Sequence, residues 1–209
     1  MKRLLPLLAV GLLGLLASSA GAQTLPPVDE CGEDFAAFRG QLLDILARRD
    51  AAALLEHVDA GIEFSFGGLG PGRDAFAESW GMDEPHTSGL WTELGQVLLL
   101  GCAPLGAEEV AAPALFARFP AEIDPFTGGV AEPGAWLYPG PGFEAEGADI
   151  AWQIVTESDG EGNGWRRVRL ADGRSGYIEE GLLLTPVGYR AIFSRREGRW
   201  TLVAFIAGD

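Results

Sequence analysis

The chain has 209 residues, 47% of them hydrophobic, and a formal net charge of −15. This length allows one large or two small domains with a real core, and the negative charge argues against nucleic acid and anionic membranes as partners. The charge is uneven, because residues 23–149 hold 22 acidic residues and 5 arginines, whereas residues 150–209 hold 8 of each. Acidic residues also keep exported proteins soluble, so the charge alone identifies no partner.

The first 22 residues have the pattern of a secretory signal peptide. Two basic residues precede an apolar run over residues 4–16, and small residues lead to an A-x-A cleavage pattern at residues 20–22. The run is short for a membrane span, although an uncleaved N-terminal anchor is the alternative. We expect a periplasmic or secreted protein that has no stable membrane insertion once the signal peptide is cleaved.

The mature chain keeps two cysteines, Cys31 and Cys102. An even number of cysteines in an oxidising compartment favours a disulfide, and the alternatives are two buried thiols or a metal pair. The two histidines, His57 and His86, complete a poor zinc set because the local spacing of zinc ligands is missing. We expect a Cys31–Cys102 disulfide, no metal and no cofactor.

Helical patterns dominate residues 23–127. Apolar residues recur at three- and four-residue steps, and Asp50 and Ser88 are candidate N-caps. The helix predicted over residues 90–100 is apolar nearly all round, so we expect it in the core. The predicted elements are helices over 33–49, 51–57, 74–80 and 90–100, a strand over 62–66, a glycine-rich loop over 67–72, a short helix or irregular segment over 110–119, and a proline-marked linker over 120–127.

From residue 128 onward the apolar period changes toward two residues, which indicates strands. Trp165 and Val168 bracket a strand, Asp172 and Gly173 form a hairpin turn in which glycine supplies the positive φ, and Tyr177 begins the return strand. The predicted strands cover residues 129–131, 135–138, 150–156, 164–170 and 175–178, and a short turn follows at 181–183.

This hairpin resembles the last strands of bacterial SH3-like (SH3b) domains. Those domains usually read Gly-Trp-x-x-Val, then Asp-Gly, then Gly-Tyr or Gly-Trp with Ile or Val, and the chain has these letters at 164–168, 172–173 and 176–178. The resemblance covers residues 128–184 and implies a small β-barrel that binds peptides or peptidoglycan fragments. It departs from the family at residues 136–141, where the arginine that many SH3b domains carry in the first strand region is absent.

Five aromatic residues lie in the predicted barrel. We expect Trp152 and Trp165 in its core, where large apolar groups are usually found. Tyr138, Tyr177 and Trp136 are the candidate ligand-binding residues, because amphipathic rings suit contact with sugars or peptides.

A second hairpin occupies residues 185–209, with strands over 189–195 and 200–206 joined by a turn at 196–199. We expect it to pack on the N-terminal helices or beside the strand over 62–66. The N-terminal region and this hairpin together are similar to NTF2-like domains, which are cone-shaped α+β folds, and the barrel would then be either a separate domain or an insertion. The predicted fold class is α+β: a helical N-terminal domain with a short strand, a small SH3-like β-barrel, and a final β-hairpin.

Sequence patterns of catalysis are weak throughout the chain. Cys31 before a helix is a possible nucleophile, but neither histidine lies where a base is expected, so a structural half-cystine is favoured. The Gly-x-Ser-x-Gly and phosphate-loop motifs are absent. Residues 159–164 alternate carboxylates and an amide with glycines and could hold calcium, yet a solvated hairpin loop explains them better. We expect no catalytic residues.

The leading hypothesis is an exported, non-enzymatic binding protein of the cell envelope, with peptidoglycan or an envelope protein as partner. One alternative is a small-ligand binder or enzyme with an N-terminal pocket lined by Phe64, Phe66, Trp80 and Trp91. The other is a structural or inhibitory partner of an envelope protein, docked through the acidic surface.

Overall fold

The computed structural model describes residues 23–66, 72–160 and 162–208. The predicted signal peptide and residues 67–71 of the glycine-rich loop lie outside the described residues. The mixed helix and strand composition expected from the sequence is confirmed, with three separate sheets. In the part of the chain that is described, no helix is long and apolar enough to cross a membrane.

The described residues form five α-helices, one 3₁₀ helix and twelve strands. The helices are α1 (Gly32–Arg48), α2 (Ala51–Glu56), α3 (Arg73–Ser79), α4 (Leu90–Leu99) and α5 (Ala114–Arg118), with a 3₁₀ helix over Glu180–Leu182. The strands are β1 (Val58–Glu63), β2 (Ala103–Pro104), β3 (Glu109–Ala112), β4 (Gly129–Ala131), β5 (Trp136–Leu137), β6 (Ala148–Asp149), β7 (Ile154–Gly160), β8 (Trp165–Leu170), β9 (Ser175–Glu179), β10 (Leu183–Leu184), β11 (Arg190–Arg196) and β12 (Arg199–Ile206).

The first sheet joins the two ends of the chain. Its strand order is β1-β12-β11-β3-β2, with β12 parallel to β1 and β11 antiparallel to both β12 and β3. The C-terminal hairpin is therefore the centre of a sheet whose outer strands come from the N-terminal region. Helices α1, α3 and α4 pack on this sheet through a large apolar core that includes Phe35, Leu94, Phe193, Leu202 and Phe205.

Local sequence explains the helix bounds. The apolar stripe of α1 is buried, and the helix ends where Arg49 adopts a left-handed conformation with φ 52°. The Asp50 side chain then accepts a hydrogen bond from the backbone N–H of Ala53 at 3.1 Å, which caps α2 as the sequence predicts. At α4 the N-cap is Gly89, one residue after the predicted Ser88, although the Ser88 hydroxyl does accept from the Leu90 N–H at 3.2 Å.

The strands β1, β2, β3 and β7 differ from the sequence prediction. β1 begins at Val58 rather than Ile62, because parallel pairing with β12 starts at the Val58–Leu202 register. β2 and β3 occupy a segment whose prolines indicated irregular structure. Pro104 is tolerated there because β2 is an edge strand. β7 begins at Ile154, four residues after the predicted start of that strand.

The second sheet is formed entirely within residues 128–184. Its order is β10-β4-β7-β8-β9, and β5 pairs with β6 in a separate two-stranded sheet. Val155, Val168, Leu170 and Ile178 form its apolar core. Among the described residues no sheet closes into a barrel, contrary to the expected closed barrel, because β9 and β10 are at opposite edges and do not pair with each other.

The N-terminal segment connects the two sheets. The Leu25 N–H donates to the Trp152 carbonyl at 2.8 Å, and the Gln23 carbonyl accepts from the Ile154 N–H at 2.9 Å. A few residues later the Val28 carbonyl accepts from the Cys102 N–H at 2.8 Å. Cys31 and Cys102 then lie at disulfide distance, with their Cα atoms 5.7 Å apart, and join the start of α1 to the chain after α4.

Candidate ligand-binding site

The three predicted ligand-binding residues lie close together on the second sheet. Tyr138 and Tyr177 exchange two backbone hydrogen bonds, of 2.9 and 2.8 Å, which connect the chain after β5 to β9. Trp136 lies two residues before Tyr138, pairs with Asp149 across β5 and β6, and keeps 44% of its surface exposed. The structure therefore brings Trp136, Tyr138 and Tyr177 into one region of the surface.

Two further aromatic residues, which were not predicted as site residues, extend this region. The Tyr138 ring lies 5.5 Å from the rings of both Phe143 and Trp165, and the Phe143 and Trp165 rings are 4.9 Å apart. All three pairs meet edge to face, a favourable geometry for aromatic rings. We call Tyr138, Phe143 and Trp165 the aromatic cluster. Phe143 is 64% exposed, so the cluster presents an apolar surface to solvent.

The position of Trp165 differs from the predicted core position. Along β8 the side chains of Val168 and Leu170 are buried, whereas Arg167 and Arg169 are exposed. Trp165 has the parity of the exposed arginines and is only partly buried, because successive side chains of a strand point to opposite faces. Trp152 is also only partly buried and packs at the edge of a small cluster with Val130 and Ile154.

Two glycines allow the backbone to pack closely beneath the aromatic cluster. A Cβ atom on Gly176 would lie 2.5 Å from the Tyr138 carbonyl oxygen, and a Cβ atom on Gly147 would lie 3.0 Å from the Tyr138 ring. The Gly176 contact is to backbone and is shorter than a real Cβ allows, so glycine is required there, whereas the contact at Gly147 is tight but is made to a side-chain ring. Gly176 is the glycine of the Gly-Tyr-Ile motif, and its role is to let the chain after β5 pair with β9.

The sheet that carries the cluster also carries charged residues along β8 and at its hairpin turn. Arg167 is paired in register with Tyr177 on β9 and with Asp159 on β7, and Arg169 forms an ion pair of 3.2 Å with Glu157. At the hairpin turn Arg174 donates to Asp172 and holds the pKa of that carboxyl below its usual value. Arg167 and Arg169 have the same parity on β8 as Trp165, so the exposed face of this sheet carries charged groups as well as the rings.

The geometry gives little support to a catalytic role of Cys31 or to a metal site at the histidines. Cys31 is paired with Cys102, so it is not available as a thiolate nucleophile in this state. His57 packs edge to face on Phe38 at 5.3 Å, and the His86 carbonyl accepts from Arg49 at 2.5 Å. Within the described residues no group of three His, Cys, Asp or Glu side chains could hold a metal ion.

The candidate calcium loop over residues 159–164 is only partly described, because residue 161 lies outside the described residues. The Asn163 side chain accepts a hydrogen bond from the Trp165 N–H at 3.2 Å. This is the local side-chain to backbone bond that asparagine commonly makes in turns. It ties the loop to the start of β8, next to the aromatic cluster.

The residues expected to line an N-terminal pocket mostly belong to the core of the first sheet. Trp91 is buried and donates its indole N–H to the Pro85 carbonyl, and Phe64 packs edge to face on Phe76 at 5.8 Å. Trp80 contacts Phe205 at 5.5 Å. Phe66 is largely exposed and lies under the Arg190 guanidinium.

No protein-family model and no curated protein matches the chain. A solved structure to which it is similar is titled as a putative calcium/calmodulin dependent protein kinase II association domain from Xanthomonas campestris. The two chains are 8% identical, the match covers 88% of this chain and 96% of that one, and the TM-score is 0.31. A TM-score this low supports no conclusion about the fold or the function of this chain.

Proposed function

We propose that this chain is an exported, non-enzymatic binding protein of the cell envelope. In this proposal residues 128–184 form an SH3-like unit that binds a peptide or a peptidoglycan fragment on its aromatic surface. The observation that carries the proposal is the aromatic cluster, in which Tyr138, Phe143 and Trp165 meet at the surface with Trp136 and Tyr177 nearby.

Two features of the second sheet support an SH3-like assignment. Strands β7, β8 and β9 pair consecutively as an antiparallel meander, and the 3₁₀ helix over Glu180–Leu182 precedes the short last strand at the position where the resemblance implies a closing turn. The Tyr138–Tyr177 bridge also brings the chain after β5 onto the edge of β9, which partly encloses the core.

The chemistry of the aromatic cluster suits an extended polymer with both apolar and polar groups. Exposed aromatic rings provide flat apolar contact area, and they are concentrated at recognition surfaces because they lose little conformational entropy on binding. Arg167 and the edge of β9 are close enough along the strands to add polar contacts to the same ligand. A ring at the centre of such a contact commonly accounts for about 2 kcal/mol or more of binding free energy, or about 30-fold in affinity.

Retention on purified peptidoglycan sacculi tests the proposal. The mature protein should be retained, and Phe143→Ala should lower its affinity by roughly 30-fold. Phe143 is the preferred position because its exposed side chain can be removed without opening the core. Phe126→Ala is a matched control, since Phe126 is 59% exposed but is not among the residues of the aromatic cluster.

The two possible negative results have different meanings. If wild-type protein is not retained on sacculi, peptidoglycan is not the ligand. A peptide-array screen with the wild type and the same two variants then tests whether the ligand is a peptide. If Phe143→Ala and Phe126→Ala bind any identified ligand as tightly as the wild type, the aromatic cluster is not the binding surface.

The export part of the proposal rests on the signal-peptide pattern of the first 22 residues. Expression of the full chain in a bacterium, followed by cell fractionation and intact-mass measurement, tests it directly. A periplasmic or extracellular product that begins at Gln23 supports export, and an unprocessed cytoplasmic product contradicts it.

A further inference from the structure

A surface cavity lies beside the first sheet, on a different part of the protein from the aromatic cluster. It has a volume of about 430 Å³ and is bounded by the first half of α1, the end of α2 and the β11–β12 hairpin. This size is within the range of small-molecule sites. The side chains that the argument uses are Asp34, Phe38, Glu56, His57, Arg199 and Trp200.

One wall of the cavity is held in place by Asp34. Its carboxylate accepts a hydrogen bond from the Trp200 indole N–H at 3.3 Å and forms an ion pair of 3.0 Å with Arg195. The Trp200 ring also meets the buried Phe35 ring edge to face at 5.1 Å. These contacts fix the position of the indole, the Arg195 guanidinium lies over its ring at 6.0 Å, and the charges of Asp34 and Arg195 neutralise each other.

The opposite wall is fixed through the backbone of His57. Its N–H donates to the Leu54 carbonyl at 2.9 Å, and its carbonyl accepts from the Leu202 N–H at 2.8 Å. The imidazole lies edge to face against Phe38, 5.3 Å between ring centres. His57 and Phe38 therefore face the cavity from positions that packing and hydrogen bonds already define.

Two charged residues of the lining remain without an ion pair in the described part of the chain. Glu56 and Arg199 are bonded neither to each other nor to another charged side chain there. The cavity thus offers one carboxylate and one guanidinium in addition to its aromatic walls. A ligand with a single charge would leave one of these two groups unpaired, whereas a ligand with both charges would pair both.

We infer that this cavity binds a small zwitterion with a flat apolar body, the chemistry of an aromatic amino acid. The ligand carboxylate pairs with Arg199, the ligand ammonium pairs with Glu56, and the ring packs against Trp200 and Phe38. The inference is independent of the proposed function, since none of its residues belongs to the aromatic cluster.

Calorimetry on the mature protein with three probes tests the inference. The probes are L-phenylalanine, which carries both charges, L-phenylalanine amide, which keeps only the ammonium, and 3-phenylpropionate, which keeps only the carboxylate. L-phenylalanine should bind up to about fivefold more tightly than either analogue, because Glu56 and Arg199 are exposed and ion pairs with exposed side chains are screened by solvent.

Substitutions of Glu56 and Arg199 test the contacts with the ligand ammonium and with the ligand carboxylate separately. Arg199→Gln should remove the preference for L-phenylalanine over its amide, and Glu56→Gln should remove the preference over 3-phenylpropionate. Arg48→Gln and Glu63→Gln are matched controls at exposed positions outside the cavity lining and should leave all three affinities unchanged. Phe143→Ala should also bind L-phenylalanine normally, which distinguishes this site from the aromatic cluster.

Three results would overturn the inference. These are no binding of L-phenylalanine at millimolar concentration, equal affinity for the three probes, and equal effects of the cavity and control substitutions. None of them bears on retention by sacculi, so the two proposals fail separately.

Discussion

Replacing both cysteines by alanine should lower the free energy of unfolding by about 4 kcal/mol. Cys31 and Cys102 are separated by 71 positions in sequence, and in the chain-entropy model a cross-link that closes a loop of this length restricts the unfolded chain by about that amount. The native connection between the two segments does not depend on the sulfur atoms alone. The Cys102 N–H still donates to Val28, and the Glu30 N–H still donates to the Cys102 carbonyl, at 2.8 and 2.9 Å. We therefore expect the folded structure to survive and the loss to come mainly from the unfolded state.

The assay is urea unfolding of the mature protein and of the Cys31→Ala/Cys102→Ala variant, followed by tryptophan fluorescence. With a slope of about 2 kcal/mol per molar urea, the midpoint should fall by about 2 M. Wild-type protein treated with a thiol reductant should approach the midpoint of the variant. A midpoint shift below about 0.5 M, with the wild type shown by mass to be oxidised and the slope unchanged, would refute the reasoning.

Three further predictions concern stability. Phe193→Ala should lower the free energy of unfolding by about 3–5 kcal/mol, because the Phe193 ring is fully buried and packs against Phe35. Phe126 is exposed, so Phe126→Ala should change the free energy of unfolding by no more than about 0.5 kcal/mol. Urea unfolding of the two variants compares them. Asp50→Ala should cost about 1 kcal/mol through loss of the α2 cap, and an unchanged midpoint would contradict the cap. Asp29 is held by Arg39, which lowers its pKa, so its contribution is complete above the unfolded value of about 3.9 and is lost as pH falls through the lower folded value. The melting temperature of Asp29→Asn should therefore lie below that of the wild type at pH 7 and converge with it as the pH falls through the lowered folded pKa of Asp29, and a gap that persists in strong acid would exclude this mechanism.

The elements best predicted from sequence are those whose signals are local. The buried stripe of α1, the Asp50 cap and the two-residue alternation of β8 each need only a few neighbouring residues to be read. The start of β1 could not be read in this way, because Val58 belongs to a strand only through pairing with Leu202, far along the chain. The same reason applies to β2 and β3, since β3 pairs with the distant β11 and β2 pairs with β3, and this pairing overrides the irregular signal of Pro104.

The candidate site was partly predictable. Tyr138 and Tyr177 were selected as amphipathic rings in the predicted strands, and they are indeed neighbours through their backbones. The size of Trp165 favours a core position, whereas its parity on β8, opposite to that of Val168 and Leu170, favours the other face. Phe143 carries no strand signal at all. It reaches the other two rings only because the segment between β5 and β6 folds over the start of β8.

The pairing of β3 with β11 determines how the second sheet is attached. Ala112 at the end of β3 is in register with Ala191 near the start of β11, so the chain leaves the first sheet and returns to it at adjacent points. Residues 113–189 therefore form one excursion of the chain between two neighbouring strands of the first sheet. The hydrogen bonds of Gln23 and Leu25 to the Ile154 and Trp152 backbone add a third connection. The second sheet is therefore joined to the region of the first sheet by three backbone connections: the chain after β3, the chain before β11, and the N-terminal segment.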